Sequence, residues 1–203
     1  MSAAAVILAA GKAKRAGGPK AVWPVGGRPS VRRVAEAALA APLVAEVLAV
    51  TGGPWAGAVA EALAGLPVRL VDNPRSDLGQ AESLKAGLRA LDPVRSTVIF
   101  LLADQPFITS QIINNLLTYK MEWGSSIIAP IFGGRRRNPV AFDLTLWRER
   151  LLALEGDQGG RDVLTENPVA LDLWPADSLP EECFMDFDTR SEYERLACPD
   201  PKP

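Results

Sequence analysis

Ala4-Ala5-Val6-Ile7-Leu8-Ala9-Ala10, followed at once by Gly11-Lys12-Ala13-Lys14-Arg15-Ala16-Gly17-Gly18-Pro19-Lys20, is the stretch that decides how the rest of the chain reads. An uninterrupted apolar run of this length suits a strand buried on both faces. The next ten residues combine glycines with four cations, Lys12, Lys14, Arg15 and Lys20. Glycines let backbone N–H groups turn inward together, and the cations can neutralise an anion, so the segment has the composition of a phosphate cradle. The same composition suits a solvated turn. It matches neither the Walker pattern, which needs Gly-Lys followed by Ser or Thr, nor the dinucleotide pattern Gly-x-Gly-x-x-Gly. A signal-peptide reading of Ala3 to Ala10 is disfavoured, because no basic residue precedes the run and a polar loop follows it.

Working outward, Glu46 to Thr51, Val68 to Val71, Thr97 to Leu102 and Ile127 to Pro130 read as further strands. Between them, Val31 to Ala41, Ala56 to Ala64, Gln80 to Leu91 and Ser110 to Tyr119 carry apolar residues at helical spacing. This alternation predicts an α/β fold with a mostly parallel central sheet covered on both faces. Ligands gather at the carboxyl ends of such strands, which singles out the loops after Ala10 and Leu102. Past Pro139 a short strand is expected at Val140 to Phe142, a helix at Leu144 to Leu154, a Gly-rich turn, and a strand at Val169 to Leu173. Thr189 with Glu192 forms a capping box that should open a last helix running to about Leu196. One domain is expected over residues 1–198, with a frayed tail at 199–203. Isoleucine is nearly confined to Ile99 to Ile131; the shift has no physical account and marks no boundary.

Composition removes several function classes. The 22 basic and 24 acidic residues leave a net charge of -2, so no overall field draws the chain to nucleic acid or anionic lipid. No segment approaches the roughly 20 apolar residues that span a bilayer. The 2 cysteines, Cys183 and Cys198, lack metal-ligand spacing and fit a reducing compartment, so a cytoplasmic location is expected. With 0 histidines, His-based triads and most zinc hydrolase sites are excluded.

Leu8-Ala9-Ala10-Gly11, then Arg15, Gly17 and Lys20, resembles the L-A-A-G-x-S-x-R-M-G-x-x-K signature of the MobA-like nucleotidyltransferases. The resemblance implies a Rossmann-like three-layer α/β/α fold. It also implies phosphates held by the glycine turn and paired with Arg15 and Lys20. Ala13 replaces the family's Ser and Ala16 its Met, which removes a hydroxyl contact and shrinks a packing contact. Asp104, in Ala103-Asp104-Gln105-Pro106 after a buried-looking strand, matches the family's metal-binding Asp-x-Pro; an Asp that merely opens a turn before Pro106 is the alternative. Mg²⁺ is usually held by one or two carboxylates plus phosphate oxygens and waters. Met185-Asp186-Phe187-Asp188-Thr189 resembles the family's D-I-D-T segment. It makes Asp188 the expected second ligand and Asp186 its rival, unless the acid only favours the helix N-terminus.

Asn73-Pro74 and Gly79 to Ser83 resemble the N-P…G-x-x-x-S stretch beside base and ribose, so Asn73, Gly79 and Ser83 join Leu8, Ala9, Ala10 and Gly11 as expected nucleotide contacts. A hydroxyl that only caps the helix start is the alternative for Ser83. Within the family Ala-Ala-Gly accompanies cytidylyl transfer, so Ala10 favours CTP over GTP. Arg137-Asn138-Pro139-Val140-Ala141-Phe142 and Gly156-Asp157-Gln158-Gly159-Gly160-Arg161 resemble segments of the molybdenum cofactor cytidylyltransferase branch. On that resemblance Arg137, Asn138, Asp157 and Arg161 are expected at the acceptor, with Arg135 and Arg136 as further phosphate binders or simply an exposed basic loop. The first half, about residues 1–110, would then hold the NTP and the second, about 111–198, the acceptor. The implied reaction moves a nucleoside monophosphate, CMP by preference, to molybdopterin, with a molybdoenzyme as transient partner. Rivals are another phosphorylated acceptor, a non-catalytic cofactor carrier, and an NAD-dependent oxidoreductase that the absent fingerprint disfavours.

Overall fold

The computed structural model describes residues 3–11, 18–187 and 189–197. In chain order its elements are β1 (Ala3–Leu8), β2 (Pro24–Val25), β3 (Arg28–Pro29), α1 (Ser30–Leu39), β4 (Val44–Thr51), α2 (Ala56–Ala62) and β5 (Arg69–Asp72). There follow α3 (Gln80–Ala90), β6 (Thr97–Leu102), α4 (Ser110–Trp123), β7 (Ile127–Phe132), β8 (Arg135–Arg136) and β9 (Val140–Asp143). The last elements are α5 (Leu144–Leu152), α6 (Gly160–Glu166), β10 (Leu171–Pro175) and α7 (Arg190–Ala197).

One sheet runs β10-β7-β9-β6-β1-β4-β5, with β8 paired to the end of β7. β1 lies at its heart, parallel to both β4 and β6, while β9 is antiparallel to β6 and β7. The run that opened the sequence reading explains this position. Ala3, Ala5 and Ile7 pack on one face against α1 and α4, and Ala4 and Val6 pack on the other against α3 and α5. A period of two that is apolar on both sides can be satisfied only by a strand with helices above and below. The fold is therefore a mostly parallel, Rossmann-like sheet sandwiched by helices, as the alternation predicted. Gly87 brings α3 close to β1: a Cβ there would sit 2.5 Å from Val6 Cγ1.

Three local expectations change. β1 ends at Leu8, and Ala9 continues as loop backbone tied by its N–H to Val50 O at 2.9 Å. The last strand starts at Leu171, because Pro168 opens a 3-10 turn over Pro168–Ala170 that leaves Val169 fully exposed. The expected Gly-rich turn passes directly into α6, where Asp162 Oδ2 accepts from Gly159 N at 2.7 Å and Val163 and Leu164 fill the core. The β2–β3 hairpin was not anticipated. Its Gly26-Gly27 turn, with φ of 58° and 77°, carries the sequence signal of a two-residue hairpin.

Candidate active site

The carboxyl ends of β6, β1, β4 and β5 open onto one cleft of about 690 Å³. Chain order supplies its walls: Leu8 to Gly11 after β1, Trp55 after β4, Ser76 to Gln80 after β5, and Leu102 to Asp104 after β6. Pro19 to Ala21, Val59, Ser83, Gly156, Asp157 and Asp186 complete it. The anticipated loops thus converge, and they do so where a parallel sheet leaves a crevice between diverging loops.

Lys20 and Asp104 meet in this cleft, Nζ to Oδ2 at 2.7 Å, with side chains 18% and 21% exposed. Each is fixed by its own element. Lys20 begins a 3-10 turn at Lys20–Val22 that leads to buried Trp23. The Asp104 loop is braced on three sides: the Ser30 hydroxyl donates to Ala103 O at 2.6 Å, Arg33 Nε to Pro106 O at 3.0 Å, and Gln105 Nε2 to Phe184 O at 3.3 Å. Ala10 is 6% exposed beside this pair, and a Cβ on Gly11 would meet nothing within 4 Å, so backbone can be approached there. Arg15 and the rest of residues 12–17 lie outside the described residues.

The wall after β5 is a knitted loop. Asn73 is buried, and its Nδ2 donates to Ser83 Oγ at 3.0 Å while its Oδ1 accepts from Arg75 N at 3.0 Å. Its side chain is therefore committed to holding Ser83, which itself lines the cleft. Gly79 has φ 116° and ψ 177°, a region that favours glycine, and a Cβ there would lie 2.1 Å from Gly156 O. The segment around Gly156 and Asp157, expected to contact the acceptor, is thus packed against the start of α3 and lines this cleft. Below it Lys85 bridges Glu82 Oε1 at 2.6 Å and Leu154 O at 2.9 Å. The Lys85 hydrogen bond holds the Glu82 carboxyl below the usual carboxylate range; burial opposes this, and the charges of Lys85, Arg75 and Arg89 reinforce it.

The C-terminal segment reaches the cleft through a small core of its own. Phe187 stacks on Trp23 with ring centroids 5.8 Å apart, Tyr193 tilts onto Trp23 at 4.8 Å, and the Tyr193 hydroxyl donates to Pro24 O at 2.6 Å. Arg190 covers the Trp23 ring at 5.1 Å. Thr189 and Glu192 form the expected capping box, with Thr189 N donating to Glu192 Oε2 at 2.8 Å and Glu192 N to Thr189 Oγ1 at 3.3 Å. This packing sets Asp186 in the cleft wall. Asp188 lies outside the described residues.

Arg135, Arg136, Arg137 and Asn138 are not in the cleft lining. Arg137 precedes β9 near the same sheet edge, its N donating to Pro130 O at 2.8 Å, its guanidinium 5.9 Å from the Phe132 ring and 3.6 Å from Glu181. Its Nε is buried without a partner among the described residues. Asn138 joins Pro139 through a cis peptide. Arg135 and Arg136 form β8, and Arg161 lies in the first turn of α6. Sequence reading missed Trp55, Ser76, Asp77, Leu78 and Gln80 as lining residues. The rule that ligands gather at strand ends applies equally to the loops after β4 and β5, and it could have found them.

Among the described residues no helix is long and apolar enough to cross a membrane. A bifunctional enzyme IspD/IspF from Novosphingobium aromaticivorans is 38% identical over 125 residues, 58% of this chain and 30% of that protein. One from Bradyrhizobium sp. is 31% identical over 151 residues, 72% of this chain and 38% of that protein. The chain spans well under half the length of these curated relatives, which carry the IspD/IspF name and not that of the molybdenum cofactor branch. The structure of a nucleotidyl transferase from Methanothermobacter superposes with a TM-score of 0.80 at 27% identity, over 97% of this chain and 96% of that one. The model of the MobA-like NTP transferase domain matches residues 5–171, and the chain belongs to that family of nucleotidyltransferases.

Proposed function

We propose that the cleft binds a nucleoside triphosphate, CTP by preference, and transfers its CMP to the terminal phosphate of molybdopterin, releasing pyrophosphate. The observation that carries the reading is the Lys20–Asp104 pair, 2.7 Å apart where the loops after β1 and β6 meet. A cation and a carboxylate side by side at a glycine turn match the two charges of a metal–triphosphate complex. Lys20, with Arg15, would neutralise phosphate oxygens, and Gly11 would leave backbone approachable.

An acceptor phosphate oxygen attacks the α-phosphorus, the bond from the α-phosphorus to the bridging oxygen breaks, and pyrophosphate leaves with the electron pair. A phosphate is already a nucleophile at neutral pH, so the chain needs no strong base, which agrees with its 0 histidines. Its residues act by in-line positioning and charge neutralisation. Asp104 and Asp186 offer hard oxygen donors to one cleft, and no group of three His, Cys, Asp or Glu could hold an ion unaided among the described residues. That donor set fits Mg²⁺ arriving with phosphates and waters, held by Asp104 with Asp188 or Asp186. When bound, the ion would supply charge neutralisation at the phosphates.

Leu8, Ala9 and Ala10 would flank the nucleotide with Gly79 and Ser83, with Asn73 supporting Ser83 from behind. Arg137, Asn138 and Arg161 would receive the acceptor, Arg137 offering the guanidinium whose Nε has no partner among the described residues. A second reading keeps the chemistry and replaces molybdopterin with a small phosphorylated sugar or hydroxy acid; the relatives named IspD/IspF favour it. Pyrophosphate release with Mg²⁺ and CTP, GTP, UTP or ATP, with molybdopterin, a panel of sugar phosphates or no acceptor, separates the two. Release with CTP and molybdopterin supports the first; release with CTP and a sugar phosphate alone supports the second; no release with any pair sinks both.

A further inference from the structure

We infer that Asp157 is a specificity-determining residue for the nucleoside: its carboxylate accepts a hydrogen bond from an N–H or O–H donor of the bound nucleotide. The inference rests on the nucleotide reading of the cleft and deepens it.

Asp157 sits at the tip of a turn held by several hydrogen bonds. Lys85 donates to Leu154 O at 2.9 Å, Glu155 N to Gln158 Oε1 at 3.0 Å, Gln158 N to Glu155 O at 3.1 Å, and Ala81 N to Gly156 O at 3.1 Å. Beyond the tip, Gly159 N is anchored on Asp162 Oδ2 at 2.7 Å. The backbone lies so close to Gly79 that a Cβ there would come within 2.8 Å of Asp157 N. A turn fixed this tightly to α3 cannot swing away with a second substrate. The Asp157 side chain takes no part in the bracing and lines the cleft beside Gly79 and Gln80.

Electrostatics decides which end of a nucleotide it can face. A carboxylate without a cationic partner repels phosphates, and it accepts hydrogen bonds but donates none. Lys20, the one cation lining the cleft among the described residues, lies beside the ends of β1 and β6, whereas Asp157 rests on the loop after β5. The phosphate end thus belongs at Lys20 and the nucleoside end near Asp157. Two groups there can donate, the exocyclic amino group of cytosine and the ribose hydroxyls. Uracil lacks the first, and deoxynucleotides lack one of the second.

The test is calorimetric titration of the full chain with Mg²⁺ and CTP, UTP, 2′-deoxy-CTP or 3′-deoxy-CTP, without acceptor, for the wild type and Asp157→Ala. Loss of one hydrogen bond to a charged group predicts CTP binding weakened about tenfold in the variant. Its melting temperature should not change, because the side chain braces nothing. If the donor is the amino group, the wild-type preference for CTP over UTP disappears in the variant; if it is a ribose hydroxyl, the preference over one deoxynucleotide disappears. Unchanged CTP affinity, or an equal loss with all four nucleotides, overturns the inference while leaving the nucleotide reading intact. Failure of the wild type to bind any nucleotide overturns both.

Discussion

Asp104 ends β6 with its carboxylate on Lys20, and replacing it separates its chemistry from its packing. The side chain is 21% exposed, and the loop around it is held by Ser30, Arg33 and Gln105, none of which bonds to the carboxylate. Asp104→Ala should therefore leave the denaturation midpoint nearly unchanged while lowering turnover at least about 100-fold, the scale on which electrostatic stabilisers of a developing charge act. A fully active variant would remove Asp104 from the metal and phosphate site. Glu82 gives a prediction in pH. Its folded carboxyl titrates below the ordinary value, so the Glu82–Lys85 bridge adds stability above the unfolded glutamate value of about 4.3 and loses it as pH falls through the lowered one. The stability gap between the wild type and Glu82→Gln should be full at pH 7 and close on acidification toward pH 3; a gap that widens on acidification would show the sign to be wrong.

Elements bring these residues together, and here the sequence was only partly legible. The strand from Ala4 could be read because seven apolar residues admit few other fates, and the capping box at Thr189 because its two hydrogen bonds are local. Asp104 was legible for the same reason: a polar loop directly follows a buried strand. Trp55, Asp77 and Gln80 were legible only as residues of strand-end loops, because their place in this cleft depends on β4 pairing with β1 and β5 with β4, contacts between distant segments. Gly156 and Asp157 were legible as a motif, but their docking on the start of α3 was not, since nothing local in the sequence encodes that contact. The contact of α7 with Trp23 likewise joins residues far apart in sequence. Tyr193→Phe removes only the hydroxyl bonded to Pro24 O and should cost about 1 kcal/mol. Phe187→Ala should cost about 3 kcal/mol and also weaken nucleotide binding, because Asp186 hangs on that core. Chemical denaturation and nucleotide titration of both variants check this; wild-type nucleotide affinity in folded Phe187→Ala would show that the C-terminal segment does not shape the cleft.

For the molecule as a whole, strands from both halves of the chain enter one sheet, and the cleft draws its walls from residues as far apart as Leu8 and Asp186. The turn at Gly156 and Asp157 and the segment at Asp186 both line the cleft, so the second half of the chain contributes to it as well as to the acceptor region proposed for it. The proposed seat of the triphosphate depends on what Lys20 does there. The most direct measurement is CTP affinity in the presence of Mg²⁺ for the wild type and Lys20→Met, by equilibrium dialysis. A phosphate contact through a charged hydrogen bond predicts that the wild type binds CTP and that the variant binds it at least about tenfold more weakly. Equal affinity in the two proteins would contradict the placement of the triphosphate at the Lys20–Asp104 pair.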